Sequence, residues 1–445
     1  MPGSPSLKID NARFLVTVDP QRRVIQDGSV VLEGQRITHV GKAADLASVP
    51  AERVIDASGC VVTPAFVNAH MHISYAHAVR GIFPDDVVGR ERLLEVFRLQ
   101  SAMTEEEEYY TSLLAITELL KGGTVTFVDP GSTKSIDACL QVYAQTGCRV
   151  VTGTSLIDQP DPRALPCFPT EEALARSEAF VRAYDHRLED RVRAWAMPFG
   201  SENASPELLS GLKRLADQYA TGMTVHHSGG STLRLEEIGA LGDNVLLAHA
   251  SGIDDEEVES IARCGASVVV CPSQVLKEGG GLGDRKVPEL LASGVNVALG
   301  SDSANSSNRL DTLREMNLVA TAVKDARHDV RLVPAEQALE MATLHGARAL
   351  LLDTGSIEVG KKADLVVFDT RRAEWSAVFD PINNLVYSAD TRSLRTVVAD
   401  GRVVVDDFRP LFVDEPRIAD RVQELGEALL ARTGTTITRG RWPIV

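Results

Sequence analysis

Eight short apolar runs, most of them followed by a helix-length amphipathic stretch, set the narrowest limit on what this chain can fold into. They lie at 62–73, 124–129, 149–154, 193–198, 223–228, 244–251, 266–272 and 296–303. Intervening segments such as 104–121 and 206–219 space their apolar residues at the helical period. Strands alternating with helices form a parallel sheet, because parallel neighbours need a crossover connection, usually a helix lying on the sheet. Eight such units over residues 63–352 close into a (β/α)8 barrel, whose reactive groups gather at the carboxyl ends of the strands.

The two ends of the chain read differently. Segments 12–17, 28–32, 37–40 and 53–56, and again 363–369, 394–399 and 402–405, are short strands between turn residues. Asp400-Gly401 is a hairpin turn signal. The expected fold class is therefore α/β. Residues 63–352 form a TIM-like barrel, 1–62 and 353–415 are two parts of one small β-sandwich, and 416–445 are a helical tail.

Charge narrows the partner. Lys and Arg total 46 against 62 Asp and Glu, a formal charge of −16. So acidic a chain has no electrostatic footprint for nucleic acid or an anionic membrane. A small neutral or cationic molecule is the expected partner. No apolar run reaches the ~20 residues of a membrane-spanning helix, and no basic stretch leads into an apolar one near Met1. A cytoplasmic location is expected, and the six scattered cysteines read as reduced thiols.

Polar residues stand where the apolar runs end. His70-Met71-His72 closes the first, and residues i and i+2 of a strand share a face. His226-His227 closes the fifth, His249 the sixth and Asp302 the eighth. One His-x-His pair is a weak signal. Imidazoles and a carboxylate converging from four strands are the donor set of a zinc-type site. Asp129 ends the second run and is a candidate to orient His70 or His72, with a helix cap as the alternative. His77 and Arg80 either touch substrate or make structural hydrogen bonds, and Cys271 either lines the pocket or is a buried thiol. Glu105–Glu108 reads as a solvated first helical turn. Gly279-Gly280-Gly281 lacks the strand–turn–helix setting of a phosphate site and reads as a flexible loop.

Three stretches carry a family resemblance: Val62-Thr63-Pro64-Ala65-Phe66-Val67-Asn68-Ala69-His70-Met71-His72, Leu299-Gly300-Ser301-Asp302, and Gly360-Lys361-Lys362-Ala363-Asp364-Leu365-Val366-Val367-Phe368-Asp369. They resemble the metal-dependent amidohydrolase superfamily, in the branch of cytosine deaminase and the triazine hydrolases, which also holds phenylurea and thiocarbamate hydrolases. The resemblance implies one divalent metal on His70, His72, a fifth-strand histidine and Asp302. Zinc is the first choice, and iron, manganese and cobalt accept the same donors. It implies that Asp302 moves the proton and that His249 hydrogen-bonds the substrate oxygen or the attacking water. It also implies a homo-oligomer. Strand parity favours His226, which shares a face with Thr224, over His227. The fourth run offers Ala196, Pro198 and Gly200 and no bridging lysine, so a mononuclear site is expected.

One departure bears on the reaction. Deaminases of this branch carry a glutamate three residues after the fifth-strand ligand, where this chain has Gly229. A ring amidine needs that proton shuttle, whereas a carbonyl is polarised directly by metal and histidine. The expected function is thus hydrolysis of a carbonyl C–N bond in a small amide, urea or carbamate. The alternative is an aminohydrolase, deaminase or dechlorinase, acting on an N-heterocycle. A catalytically silent barrel serving as an interaction scaffold is the competing class, and the complete donor set speaks against it.

Overall fold

The computed structural model describes residues 6–74, 77–85, 87, 89–161 and 165–437. Eight parallel strands form the barrel: Phe66–Asn68, Thr124–Asp129, Arg149–Thr152, Val192–Ala194, Met223–Ser228, Val245–Ser251, Ser267–Val270 and Val297–Leu299. They pair as two four-stranded arcs. A bridge between Ala196 and Met223 joins the arcs on one side. On the other, Ala69 N donates to Leu299 O at 2.8 Å. Residues of alternating parity divide between two cores. Val67, Val128, Val151, Leu246, Ala248, Val269 and Ala298 fill the barrel. Phe66, Phe127, Val150, Leu247, Val268 and Leu299 pack outward on the helices. Burial on both faces makes each run almost continuously apolar.

The β module is one nine-stranded sheet built from both ends of the chain. It encloses its own core of Leu7, Ile9, Leu15, Val30, Leu32, Val62, Leu365 and Val367. Ser6–Val16 lies beside Cys60–Pro64, which pairs antiparallel with Leu365–Asp369. The run at 62–73, expected as a single strand, is therefore two. Ala65 N still donates to Asp364 O in the module at 3.0 Å, while Phe66 N donates to Gly123 O at 2.9 Å as the chain enters the barrel. Pro64, which has no N–H to give a ladder, sits at this handover. The expected hairpin turn is present, with Asp400 at φ 51° and Gly401 at φ 78°.

A buried ionic network fastens module to barrel. Arg149, on the third barrel strand, reaches Asp400 at 2.9 Å and Asp364 at 3.3 Å. Thr354 donates to Asp364 as well, at 2.9 Å. Helix Glu415–Thr433 packs on helices Gly89–Ala102 and Glu105–Lys121. Gly426 allows the closest approach, since a Cβ there would lie 2.2 Å from Ala78 O.

The acidic turn at 105–108 is not wholly solvated, contrary to expectation. Thr104 and Glu107 form a reciprocal cap. Buried Glu107 also pairs with Arg432 at 2.7 Å, and buried Glu108 accepts from Lys134 N at 3.1 Å. All six cysteines are free, with Cys167 exposed, Cys264 half-buried and the rest buried. No helix of the described residues is long and apolar enough to cross a membrane.

Candidate metal centre and active site

Four imidazoles and one carboxylate meet where the first, fifth, sixth and eighth strands end. The His70 ring lies 5.1 Å from His72, 4.9 Å from His226 and 4.8 Å from His249, centroid to centroid. Asp302 Oδ1 stands 3.5 Å from His72 Nε2 and 4.0 Å from His70 Nε2. Two overlapping sets, His70–His226–His249 and His70–His72–Asp302, each bring their donor atoms within 4.8 Å of one another. Both ring nitrogens of His70 are buried with no hydrogen-bond partner among the described residues. A buried imidazole unpaired on both nitrogens is costly unless an ion takes one of them. The nitrogen and oxygen donors present fit a divalent transition metal.

Local backbone aims these groups. His70 and His72 lie just beyond the end of Phe66–Asn68, in the loop it feeds. In the fifth strand Thr224 and His226 alternate with outward-packed Val225, so the imidazole of His226 turns to the cluster. Its Nδ1 lies 2.5 Å from Phe199 O, which as an acceptor leaves Nε2 free to bind an ion. His227 points elsewhere: its Nε2 meets Thr232 Oγ1 at 2.8 Å and its Nδ1 meets Ser231 Oγ at 3.0 Å. His249 breaks the alternation. Leu246 and Ala248 face the barrel interior, so a regular strand would direct His249 outward. Left-handed backbone at His249 (φ 72°) and Ala250 (φ 44°), with a register shift against the fifth strand, turns the ring back to the cluster. Asp302 is left-handed too, at φ 56°, and accepts from Ser303 N at 2.6 Å. Such conformations cost energy in a non-glycine residue and cluster at functional sites.

Burial keeps His70, His226 and His249 neutral. Burial drives His70 well below its ordinary value, helped by His249, His226 and His72. Burial, with His72 and His249, holds His226 at about 3. Burial also lowers His249. For Asp302 burial pushes upward, but His249 and His72 outweigh it and the carboxyl stays below its ordinary range. Neutral imidazole and ionised carboxylate are the forms that bind a metal.

The cluster opens into a cavity of about 200 Å³ lined by His72, His226, His249 and Asp302 at one end. Leu93, Val96, Phe97 and Phe199 form an apolar wall, with the Phe97 and Phe199 rings 5.9 Å apart edge to face. The remaining wall is polar: Arg92, Gln274, Glu278, Ser303, Asn305 and Ser306. Arg92 pairs with Glu278, and Gln274 Nε2 donates to the same carboxylate at 2.6 Å. Sequence reasoning missed this wall. Glu278 sits just past helix Pro272–Lys277 with no motif around it, and Arg92 comes from a helix outside the strand–helix alternation.

The other candidates do not line the cavity. His77 and Arg80 both bind Glu118, at 2.7 and 2.8 Å, and Leu310 N donates to the same carboxylate at 3.0 Å. They tie the loop after the first strand to the loop after the eighth. Asp129 is buried and accepts from Ser132 Oγ. Cys271 is buried, and its thiol is pushed well above its ordinary value by burial, then by Asp302 and Glu315. Position 229, where the family resemblance led a glutamate to be expected, is sterically closed. A Cβ at Gly229 would lie 2.0 Å from Gly252 O.

A (β/α)8 barrel with imidazole and carboxylate donors at its carboxyl end defines the class of metal-dependent hydrolases. The chain belongs to the amidohydrolase family, whose profile matches residues 61–404, and it is a hydrolase acting on carbon–nitrogen bonds other than peptide bonds. It is 31% identical over 442 residues to a 5'-deoxyadenosine deaminase of Methanosarcina mazei, covering 96% of this chain and 99% of the relative. It is 32% identical over 434 residues to a 5-methylthioadenosine/S-adenosylhomocysteine deaminase of Syntrophobacter fumaroxidans, covering 94% and 97%. Among solved structures it resembles an adenosine deaminase of Xanthomonas campestris with bound zinc, at a TM-score of 0.87 and 25% identity over 97% of this chain and 100% of the other. It also resembles the zinc complex of atrazine chlorohydrolase from Arthrobacter aurescens TC1, at 0.86 and 25%, over 94% and 100%. These relatives favour the aminohydrolase alternative over the urea or carbamate reading expected from Gly229.

Proposed function

We propose that the chain is an aminohydrolase of a small neutral N-heterocycle, replacing a ring substituent with oxygen from water. The observation that carries this reading is the full-length relationship to nucleoside deaminases in a chain whose cavity ends on the imidazole–carboxylate cluster. Its volume, about 200 Å³, is below the ~300–1,000 Å³ of sites for drug-sized ligands. The substrate is accordingly a bare ring with short substituents, smaller than the nucleosides in the relatives' names. The aromatic wall of Phe97 and Phe199 suits its flat faces.

His70, His72, His226 and Asp302 would hold the metal, zinc by the precedent of the zinc-bound relatives. When bound, it supplies a water acidic enough to attack near neutral pH. Asp302 takes a proton from the attacking water on its carboxylate oxygen and returns it to the leaving group. Neutral His249 hydrogen-bonds the oxygen that adds to the ring carbon. A ring nitrogen must gain a proton as that carbon is attacked. With position 229 closed, Glu278 is the cavity carboxylate that takes the water's other proton and hands it to that nitrogen, kept in place by Arg92 and Gln274.

The closure of position 229 favours a second reading, hydrolysis of a carbonyl C–N bond in a urea, carbamate or amide, which needs no such proton. The test measures kcat/KM of the zinc-loaded protein for amino-triazines, cytosine and adenine beside phenylureas and carbamates. Asp302→Asn abolishes turnover under either reading. Under the first, heterocycles are preferred and Glu278→Gln costs about 10²–10⁴-fold, the range for a general acid–base group. Preference for ureas, with Glu278→Gln nearly silent, rejects it in favour of the second.

A further inference from the structure

Asn305 lies in the turn that follows Asp302 and lines the same cavity. It is 4% exposed, yet neither its Oδ1 nor its Nδ2 has a hydrogen-bond partner among the described residues. A buried primary amide unpaired at both ends is uncommon in a folded protein, because the water it gave up is not replaced. Glu315 and Ser273 also carry an unpaired buried atom, but neither lines the cavity.

The turn that carries Asn305 is firmly set. Asn305 N donates to Ser303 Oγ at 3.1 Å. Ser306 N and Ser307 N both donate to Ser303 O at 2.9 Å. Ser307 Oγ then donates to Arg309 O at 2.9 Å. The backbone that carries the amide is thus set, three residues on from Asp302.

We propose that Asn305 is a specificity-determining residue that reads a donor–acceptor edge of the substrate. Its Oδ1 accepts from a substrate N–H, and its Nδ2 donates to the adjacent ring nitrogen or carbonyl oxygen. An amide matches such an edge with two parallel hydrogen bonds, as Asn does on adenine. The geometry selects ligands carrying an N–H next to an acceptor and disfavours those whose edge is alkylated. The inference rests on the proposed function only in taking this cavity as the substrate site. An aminopyrimidine presents the edge as a ring nitrogen beside an amino group, and a urea presents it as a carbonyl beside an N–H.

The experiment uses zinc-loaded full-length protein and two probe pairs: 4-aminopyrimidine against 4-(dimethylamino)pyrimidine, and phenylurea against N-phenyl-N,N′,N′-trimethylurea. Affinities are measured by calorimetry for the native protein, Asn305→Ala and the isosteric Asn305→Asp, with thermal unfolding of each free protein alongside. In at least one pair the native protein prefers the unmethylated probe by roughly 10–100-fold, the range for one bidentate contact. In Asn305→Ala that preference falls to within about threefold, even though the cavity has grown. Asn305→Asp, which loses the donor, also loses most of it. Free Asn305→Ala melts no lower than the native protein, since no internal hydrogen bond is removed. Retention of the native preference in Asn305→Ala overturns the inference, as does the absence of any preference in the native protein. A drop of several degrees in melting temperature in both variants assigns Asn305 a structural role and overturns it too. Turnover separates the two claims. A protein that shows the Asn305-dependent preference but hydrolyses ureas and no heterocycle refutes the proposed reaction and leaves this inference standing.

Discussion

At the scale of single residues, the two histidines of the fifth strand give the sharpest prediction. His226 stands among the other imidazoles, while His227 is engaged by Thr232 and Ser231. His226→Asn should empty the site of metal by elemental analysis, as should His70→Ala, whereas His227→Asn should keep most of it. Gly229 gives a second. A glutamate at this position drives a Cβ to within 2.0 Å of Gly252 O. Gly229→Glu should therefore destabilise the fold by about 1–3 kcal/mol, the cost of overpacking, read by urea unfolding, and should not raise turnover of heterocycles. The positions of the histidines and Asp302 were legible as polar residues closing apolar runs. The direction of His249 was not, because it depends on left-handed backbone that strand parity contradicts. Asn305 and Glu278 were silent, since nothing local marks a side chain that matters only through the wall it joins.

At the scale of elements, Glu118 joins two loops to a helix. It sits in Glu105–Lys121 and receives His77, Arg80 and Leu310 N. Burial opposes its charge, but the His77 hydrogen bond and Arg80 prevail and hold it at about 2. Burial lowers His77 as well, so its imidazole donates while neutral and Arg80 supplies the full positive charge. A carboxyl held below its unfolded value stabilises the fold above that value, ~4.3 for glutamate, and loses the contribution as pH falls towards 2. Native stability should thus decline between about pH 5 and 2, and Glu118→Gln should remove about 2 kcal/mol of that dependence. Urea titrations of both proteins across this window check it, and parallel slopes would count against the clasp. His77 and Arg80 were visible in the sequence as unusual loop residues. Their partner was not, because Glu118 reads as one more polar position on an amphipathic helix. The split at Pro64 was hidden for a related reason: both halves of the run are fully buried, so hydrophobicity does not change where the pairing partner does.

At the scale of the whole molecule, module and barrel are joined by charge as well as by apolar packing. Arg149 is almost wholly buried against Asp364 and Asp400. Removing one partner of a buried pair leaves an uncompensated charge, so Arg149→Met should cost about 3–5 kcal/mol, measured by urea unfolding. Replacing Arg149, Asp364 and Asp400 together with apolar residues should cost far less. The two-ended module was legible because strand and turn signals recur at both ends of the chain. Its order of assembly has a consequence for synthesis. Strand Cys60–Pro64 leaves the ribosome some 300 residues ahead of Leu365–Asp369, its neighbour in the sheet. At roughly 5–20 residues per second that is about 15–60 s. For all that time the strand leading towards His70 and His72 holds an open hydrogen-bonding edge, the kind of edge that pairs with other chains. A nascent chain stalled anywhere inside the barrel therefore carries a sticky half-sheet, and release from that hazard comes only with the Gly360-to-Asp369 segment, which supplies the missing strand.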